Sequence, residues 1–549
     1  MNQTLRTAAI PALIVAAICL LPQIGVLVAA LSGTLETLRG LAETVLWRYT
    51  GTTLILVVLV GVGTMLIGTG AAWLVVTREF PARRLLEVLL VLPLAFPAYV
   101  LAYAYTHVLD HPGIVQTTLR DLTGWGPRDY WFPEIRSVGG AAAMLTLVLY
   151  PYVYLLARAS FKQQAAAPYY AALSLGQSPL GAFLRVSLPM ARPAIAAGAL
   201  LAVMETIADF GTVAHFGVQT FATGIYTSWF SMFDRAAAAQ LAMGLLAFAL
   251  LFAALERFSR GRAQFAGKGR ADAFIRQPLP AAKGWAASAA CALPVLLGVV
   301  VPVVALSAMA TQSEQTLLST RYLNFATNSL LLGVVAAVVT VTAAVLLGTY
   351  HRIARSRLSG AALAVSRIGY AVPGGVIAVG LLVPMAGFDN WFDAQMREAF
   401  GISTGLLITG SIWLMIAAYM IRFIAAAVGA YEGGLETVTT NVDAAARVLG
   451  RTGWGTVRDI HVPILRRSLL TALLIVFVDT IKELPATLIL RPFNYDTLAV
   501  QAFRLASDER LEGAAVPSLV IAAIGLIPVI LLCRQIGERR LPRSNALTT

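Results

Sequence analysis

The chain has 549 residues, of which 58% are hydrophobic and only 13% charged, about half the charged share of a soluble domain. Too few charges remain to cover a water-facing surface, which excludes an ordinary soluble protein and points to the bilayer. The formal net charge of +13 invites a nucleic-acid reading, but no lysine-rich run or basic patch interleaved with aromatics is present, so that class is excluded too.

The first element is the apolar run 8–31, preceded by the single cation Arg6. It is too long for the hydrophobic region of a signal peptide and no small-residue cleavage site ends it, so it reads as a retained span. A bilayer core asks for about 20 apolar residues per helix, with each backbone amide satisfied inside the segment. Windows of that size follow at 49–77, 88–109, 137–157 and 236–255, with an interrupted span over 193–217. They resume at 284–310, 322–350, 368–388, 401–421, 468–490 and 513–532. The expected fold is an all-α polytopic membrane protein of about twelve transmembrane helices. Its two pseudo-symmetric six-helix halves are residues 1–255 and 284–549, joined by a linker, 256–283.

Arginine and lysine gather on every second connection: Arg78, Arg83 and Arg84; Arg158, Lys162, Arg185 and Arg192; the linker; Arg352, Arg355 and Arg357; Arg422, Arg447, Arg451, Arg458, Arg466 and Arg467; and the cluster from Arg534 to Arg543. The loops between, 110–136, 389–398 and 491–512, are mixed or acidic. Short basic loops stay cytoplasmic, which places both termini and the linker inside. The linker contains Gly267-Lys268, but Gly269 follows instead of Ser or Thr and Arg262 stands where a P-loop has its first glycine. The chain itself is not expected to bind ATP. Cys19, Cys291 and Cys533 lie in or beside apolar runs without metal-ligand spacing and read as structural thiols.

The fourth connection of each half is long, basic and duplicated. The first copy, YYAALSLGQSPLGAFLRVSLP, ends at Pro189; the second, AAARVLGRTGWGTVRDIHVP, ends at Pro463. Each holds Ala-Ala-x-x-x-Gly, nine residues, a β-branched apolar residue, one more, an aliphatic residue and Pro. Gly176 and Gly450 stand 274 residues apart, as do Pro189 and Pro463, Asp209 and Glu483, and Thr223 and Thr497. Such a loop suits docking of a short helix into a partner's groove: alanines allow close approach, glycine a sharp turn, and proline ends one helix before the next span.

These paired loops resemble the EAA loops of permease subunits of ATP-binding-cassette (ABC) importers, and the likeness extends over essentially the whole chain. The resemblance implies a type I importer permease fold and two coupling helices that rest on a separate dimer of ABC ATPase subunits. ATP and magnesium would be bound there, leaving this chain without a cofactor and without catalysis. It implies Ala171, Ala172, Gly176, Leu188 and Pro189 as one coupling loop, and Asp443, Ala445, Ala446, Gly450, Val462 and Pro463 as the other. Tyr170 and Ala444 occupy the family's glutamate position, with Asp443 next door in the second copy. The stretches YPYVYLLARASF, ETIADFGTVAHFGVQTFATGIYTSWF and IKELPATLILRPFNYDTLAV look like the fused permeases of ferric iron importers, with thiamine, polyamine and phosphonate permeases as relatives. A periplasmic substrate-binding protein and location in a bacterial inner membrane are implied in the same way.

Carboxylates in mid-span cost a few kcal/mol or more and face a cavity or a partner. Glu205 and Asp209, at i and i+4, are expected to share a helix face, and Asp479 and Glu483 repeat the pattern beside Lys482. These five form the candidate translocation path, and the hard oxygens of the four acids suit a ferric ion; the other reading is a lock between the halves. His107, Asp110 and His111 read as a loop cap, Tyr150, Tyr152 and Tyr154 as interfacial anchors, and His215 as a core residue. A secondary transporter, the rival class, also has two halves and intramembrane acids. No nucleophile, metal cluster or oriented base recurs in the spans to suggest an enzyme.

Overall fold

The computed structural model describes residues 2–261, 274–313, 319–451 and 453–538. Most of the linker's basic run and the far C-terminal arginines fall outside the described residues. In the first half the principal helices are α1 (Asn2–Ser32), α2 (Trp47–Thr77), α3 (Arg83–Leu89), α4 (Ala98–Leu109), α5 (Val138–Gln163), α6 (Ala167–Ser174), α7 (Leu188–Ala208), α8 (Gly211–His215), α9 (Phe221–Phe230) and α10 (Arg235–Gly261). The second half gives α11 (Ala281–Thr311). It continues with α12 (Thr320–Ala354), α13 (Arg357–Ile368), α14 (Gly374–Phe400), α15 (Ile412–Leu435), α16 (Thr440–Val448), α17 (Val462–Ile481), α18 (Pro485–Leu490), α19 (Leu498–Ser507) and α20 (Leu511–Glu538). Helix for helix the two halves follow one plan, so the molecule is an all-α polytopic protein built from a repeated unit.

Ten helices among the described residues are long and apolar enough to cross a membrane, or eleven when the bent pair Arg83–Ala95 and Ala98–Thr123 counts as one span. The expected span 468–490 is the helix α17, which begins with cations Arg466 and Arg467 inside it and stops at Ile481. The expected span 88–109 turns by 95° before α4. Pro97 is the cause: it lacks an N–H, and the residue before it is driven out of helical conformation, with Phe96 at φ −94, ψ 132. Pro373 does the same after Val372, so the window 368–388 is also divided, and α14 starts only at Gly374.

The window 401–421 is displaced. The segment 389–398, expected as a loop, lies within α14, where fully buried Asp389 accepts backbone N–H bonds from Ile408 (3.1 Å) and Thr409 (2.7 Å). Ser411 then caps the start of α15, accepting from Leu414 N. The span therefore runs from Ile412 to Leu435, and Arg422, expected in a cytoplasmic loop, sits near its middle with only 9% exposure.

The first helix of each half crosses to the other half. α1 packs on α14 and α12, and α11 packs on α4 and α20. At one crossing the backbones touch, since a Cβ on Gly25 would lie 1.8 Å from the Gly380 carbonyl oxygen. Small residues allow this approach where lipid supplies no hydrophobic drive. Tyr150 and Tyr154 are fully buried in α5 and not interfacial anchors; the Tyr154 hydroxyl donates to the Glu87 carbonyl at 2.9 Å.

Candidate functional site: a charged chamber between the halves and two paired loops

α7 stops at Ala208 and the chain extends through Asp209 (φ −68, ψ 132) before α8 begins. The Asp209 carboxylate accepts the backbone N–H groups of Thr212 (3.1 Å) and Val213 (3.2 Å) and the Thr212 hydroxyl (2.9 Å). An acid at a helix start satisfies N–H groups that have no partner within the helix. In the second half α17 stops at Ile481, and Glu483 accepts from Ala486 N at the start of α18 (3.2 Å). Asp209 and Glu483 thus do the same job 274 residues apart. The expected shared helix faces do not form: Glu205 and Asp479 remain on their helices, whereas Asp209 and Glu483 lie beyond the helix ends.

All five residues of the candidate path nevertheless line one cavity of about 120 Å³. Lys482 Nζ pairs with Asp479 Oδ1 at 2.8 Å. Arg422, from α15, enters the same cavity, with Nε 3.1 Å from Glu483 Oε2 and Nη2 3.9 Å from Glu205 Oε2. The Tyr370 hydroxyl, in the turn before α14, donates to Glu205 Oε1 at 3.3 Å, and Tyr152 of α5 lines the same wall. Arg422 and Tyr370 belong to one half and Glu205 to the other, so the seam between halves runs through the chamber.

A larger cavity of about 980 Å³ adjoins it and shares Tyr152, Tyr370 and Asp479 as lining. Apart from Arg367 the rest of this vestibule is walled mainly by small and aliphatic residues from α7, α10, α13 and α15. Arg367 is ion-paired with Glu432, one turn from the end of α15 where the chain enters the α16 loop. The vestibule thus lies toward the end of the bundle that carries the paired loops, with the two tyrosines between it and the chamber.

Away from the loops, Arg136 joins the halves. It makes two parallel bonds to Glu509, at 2.8 and 2.9 Å, and a third to Asp110 at 2.9 Å. The bonds from Arg136 hold the Glu509 carboxyl below the ordinary range against its slight burial. His111 donates its backbone N–H to Asp110 (2.8 Å), and His215 shares a hydrogen bond with Thr106 (2.9 Å). Among the described residues no group of three or more His, Cys, Asp or Glu is placed to hold a metal ion. The chamber acids accordingly do not make a closed ligand shell.

The paired loops fold alike. After α6 the chain turns through Gly176 at φ +84, with Gly176 N bonded to Leu173 O and Gln177 N to Ala172 O, both at 3.0 Å. After α16 it turns through Gly450 at φ +78, with Arg451 N bonded to Ala446 O at 3.0 Å. This left-handed helix stop favours glycine. Ala171 and Ala445 face outward, while Ala172 and Ala446 pack inward. Leu175 and Leu449, the residues before the glycines, are 84% and 81% exposed. Pro189 and Pro463 do not end a helix as expected; with Leu188 and Val462 they open α7 and α17, each just after one widened turn, 183–187 and 457–461.

What holds each loop differs. Tyr169 is buried among the rings of Trp73 and Phe274, at 5.4 and 5.6 Å, and the Tyr170 hydroxyl donates to the Ile275 carbonyl (3.2 Å). In the other loop Asp443 is bonded at 2.7 Å by both Arg352 and His461, and Arg352 also donates to the carbonyls of Leu435 and Val438. Burial would raise the Asp443 carboxyl, but the bonds from Arg352 and His461 prevail and hold it below the ordinary aspartate range.

Sequence reasoning missed Arg422, Tyr370 and Tyr99, all chamber-lining. For Arg422 the signal was present: 274 residues earlier stands Val148, in mid-α5.

Comparison with known proteins returns one family model twice. The model, described as binding-protein-dependent transport system inner membrane component, matches residues 64–260 and 340–544. The Fe(3+)-transport system permease protein FbpB 2 of Haemophilus influenzae is 26% identical over 488 residues, 87% of this chain and 88% of that protein. The molybdenum transport system permease protein ModB of Escherichia coli is 26% identical over 35% of this chain and 85% of its own length. A putative 2-aminoethylphosphonate transport system permease protein, PhnV of Salmonella typhimurium, is 24% identical over 24% of this chain and 52% of its own.

Proposed function

Because the chain belongs to the family of binding-protein-dependent transport system inner membrane components, and is thus a multi-pass ABC importer permease, we propose that it carries ferric iron and couples to a separate ATPase dimer through the α6 and α16 loops. The observation that carries the coupling is the pair of loops in one register, each with an outward alanine, an exposed leucine and a left-handed glycine. On this reading ATP and magnesium sit on the partner, a periplasmic binding protein delivers cargo to the opposite face, and both termini are cytoplasmic.

The chamber is then the midpoint of the path. In this structure the vestibule lies on the loop side, Tyr152 and Tyr370 separate it from the chamber, and Arg136–Glu509 ties the halves on the far side. ATP binding and cargo delivery bias a two-state equilibrium between this arrangement and one open to the other face.

Ferric iron is favoured by the relative named for Fe(3+) transport, which matches along nearly the whole chain. The chamber's charge supports a cation: four carboxylates face one arginine and one lysine. An anion such as a phosphonate would meet net repulsion there. The test is uptake of radioactive ferric iron into proteoliposomes holding the permease, its ATPase and its binding protein. ATP-dependent uptake that unlabelled ferric iron suppresses and 2-aminoethylphosphonate does not is expected; uptake of a phosphonate, thiamine or a polyamine instead would reassign the cargo. Iron uptake that needs no ATPase and collapses with an uncoupler would favour a secondary transporter.

A further inference from the structure

The charges of the chamber are unequally answered. Asp209 is taken up by the backbone amides of α8, Asp479 by Lys482 at 2.8 Å, and Glu483 by Arg422 at 3.1 Å and Ala486 N at 3.2 Å. Among the described residues Glu205 has only the Tyr370 hydroxyl at 3.3 Å and the far edge of Arg422 at 3.9 Å. A second oxygen on the chamber wall is idle. Tyr99 of α4 lines the chamber at 4% exposure, and its hydroxyl makes no hydrogen bond among the described residues. A buried phenol without a partner is costly unless something else uses it.

We propose that Arg422 is the resident counter-cation of the chamber and sets which cations it admits, with the Glu205 carboxylate and the Tyr99 hydroxyl as the oxygens left for cargo. The proposal rests on reading the chamber as the translocation path. A guanidinium keeps its charge at any working pH and is tethered, so a free cation must displace a charge that is always at hand. Small abundant cations then gain little by entering, because one acid is already matched and the other half matched. Without Arg422, part-buried Glu205 and buried Glu483 keep their neutral donors but lose the arginine's counter-charge, a state that recruits whatever cation is available. In this scheme the arginine keeps the empty path from filling with divalent ions.

The test is manganese(II) binding to the purified full-length permease in detergent, read by electron paramagnetic resonance. Arg422→Gln is expected to bind manganese about tenfold more tightly than the unsubstituted chain, the least that loss of a charge within 4 Å of two carboxylates should give. Arg422→Gln/Glu483→Gln, which removes one charge of each sign, returns binding to the starting level. Should Arg422→Gln fail to accumulate, Arg422→Lys decides: its ammonium, held at Glu483, no longer reaches Glu205, and binding tightens by a smaller factor. Tyr99→Phe in the Arg422→Gln background weakens it again. Binding unchanged in both arginine variants, or equally tight in the double variant, overturns the proposal. Reconstituted iron uptake by the unsubstituted chain separates the two readings, since absent uptake removes the iron assignment while leaving the manganese result to stand.

Discussion

Arg422 Nε lies 3.1 Å from Glu483 Oε2, and the other edge of the same guanidinium is 3.9 Å from Glu205 across the seam between halves. Glu483 in turn caps α18, so one acid serves the helix break, the arginine and the wall of the chamber. Rigid placement of charge at a pseudo-two-fold seam follows from the break in each half's fifth span.

That break makes a testable distinction at Asp209. Asp209→Asn keeps an oxygen for the amides of α8, so the complex should assemble with an unchanged thermal midpoint while uptake falls. Asp209→Ala removes the cap as well and should cost about 1 kcal/mol, read as a lowered midpoint in detergent. Unchanged uptake in Asp209→Asn would remove this residue from the path.

Gly176 and Gly450 test the loops. Among the described residues, chain neighbours aside, no atom lies within 4 Å of a Cβ built on either residue, so it is the positive φ that opposes substitution. Gly450→Ala should cost about 1 kcal/mol and Gly450→Asn less, since Asn tolerates the left-handed region. Gly450→Val should weaken ATPase co-purification most. Equal effects of Asn and Val would show that the turn conformation is not what matters.

The register and the family were legible because they repeat: Ala-Ala-x-x-x-Gly occurs twice, and the acids that follow keep the same offset; of the two helical breaks only the first was expected, as an interruption over 193–217, while 468–490 read as one continuous span. Arg422 was not read as a site residue, because the expected span 401–421 ended one residue before it and left it in the following basic connection; the buried Asp389 draws residues 408 and 409 onto α14 and shifts the next span by about eleven residues, a tertiary effect no local window contains. The expected i, i+4 faces failed for a related reason, since that spacing aligns side chains only while the helix continues, and it stops at Ala208. Tyr99, Tyr152 and Tyr370 come from three separate segments, and only folding puts them on one cavity.

The unlike anchors of the loops predict unlike responses to acid. Asp443 titrates below its unfolded value, so its contribution is complete above about pH 4 and is lost as pH falls through the folded value. A spin label at Leu449→Cys should mobilise below about pH 4, whereas one at Leu175→Cys, beside the aromatic anchor of Tyr169, should not. Equal mobilisation at both sites would contradict the assignment.

At the far side, Arg136→Gln should loosen the tie to Glu509. The glutamate is 62% exposed, so the pair is worth at most about 1 kcal/mol. Basal ATP hydrolysis of the reconstituted complex without binding protein should rise by no more than about fivefold, with high salt giving a similar rise. A rise unaffected by salt, or none, would mean the pair does not bias the two states.

Cross-linking of the two loops tests the coupling claim most directly. With Leu175→Cys and Leu449→Cys introduced separately, each in a functional reconstituted complex, both positions should form disulfide or short-linker products with cysteines on the ATPase surface, and each product should block ATP-driven uptake. ATP-driven uptake that persists while neither loop cross-links to the ATPase would contradict it.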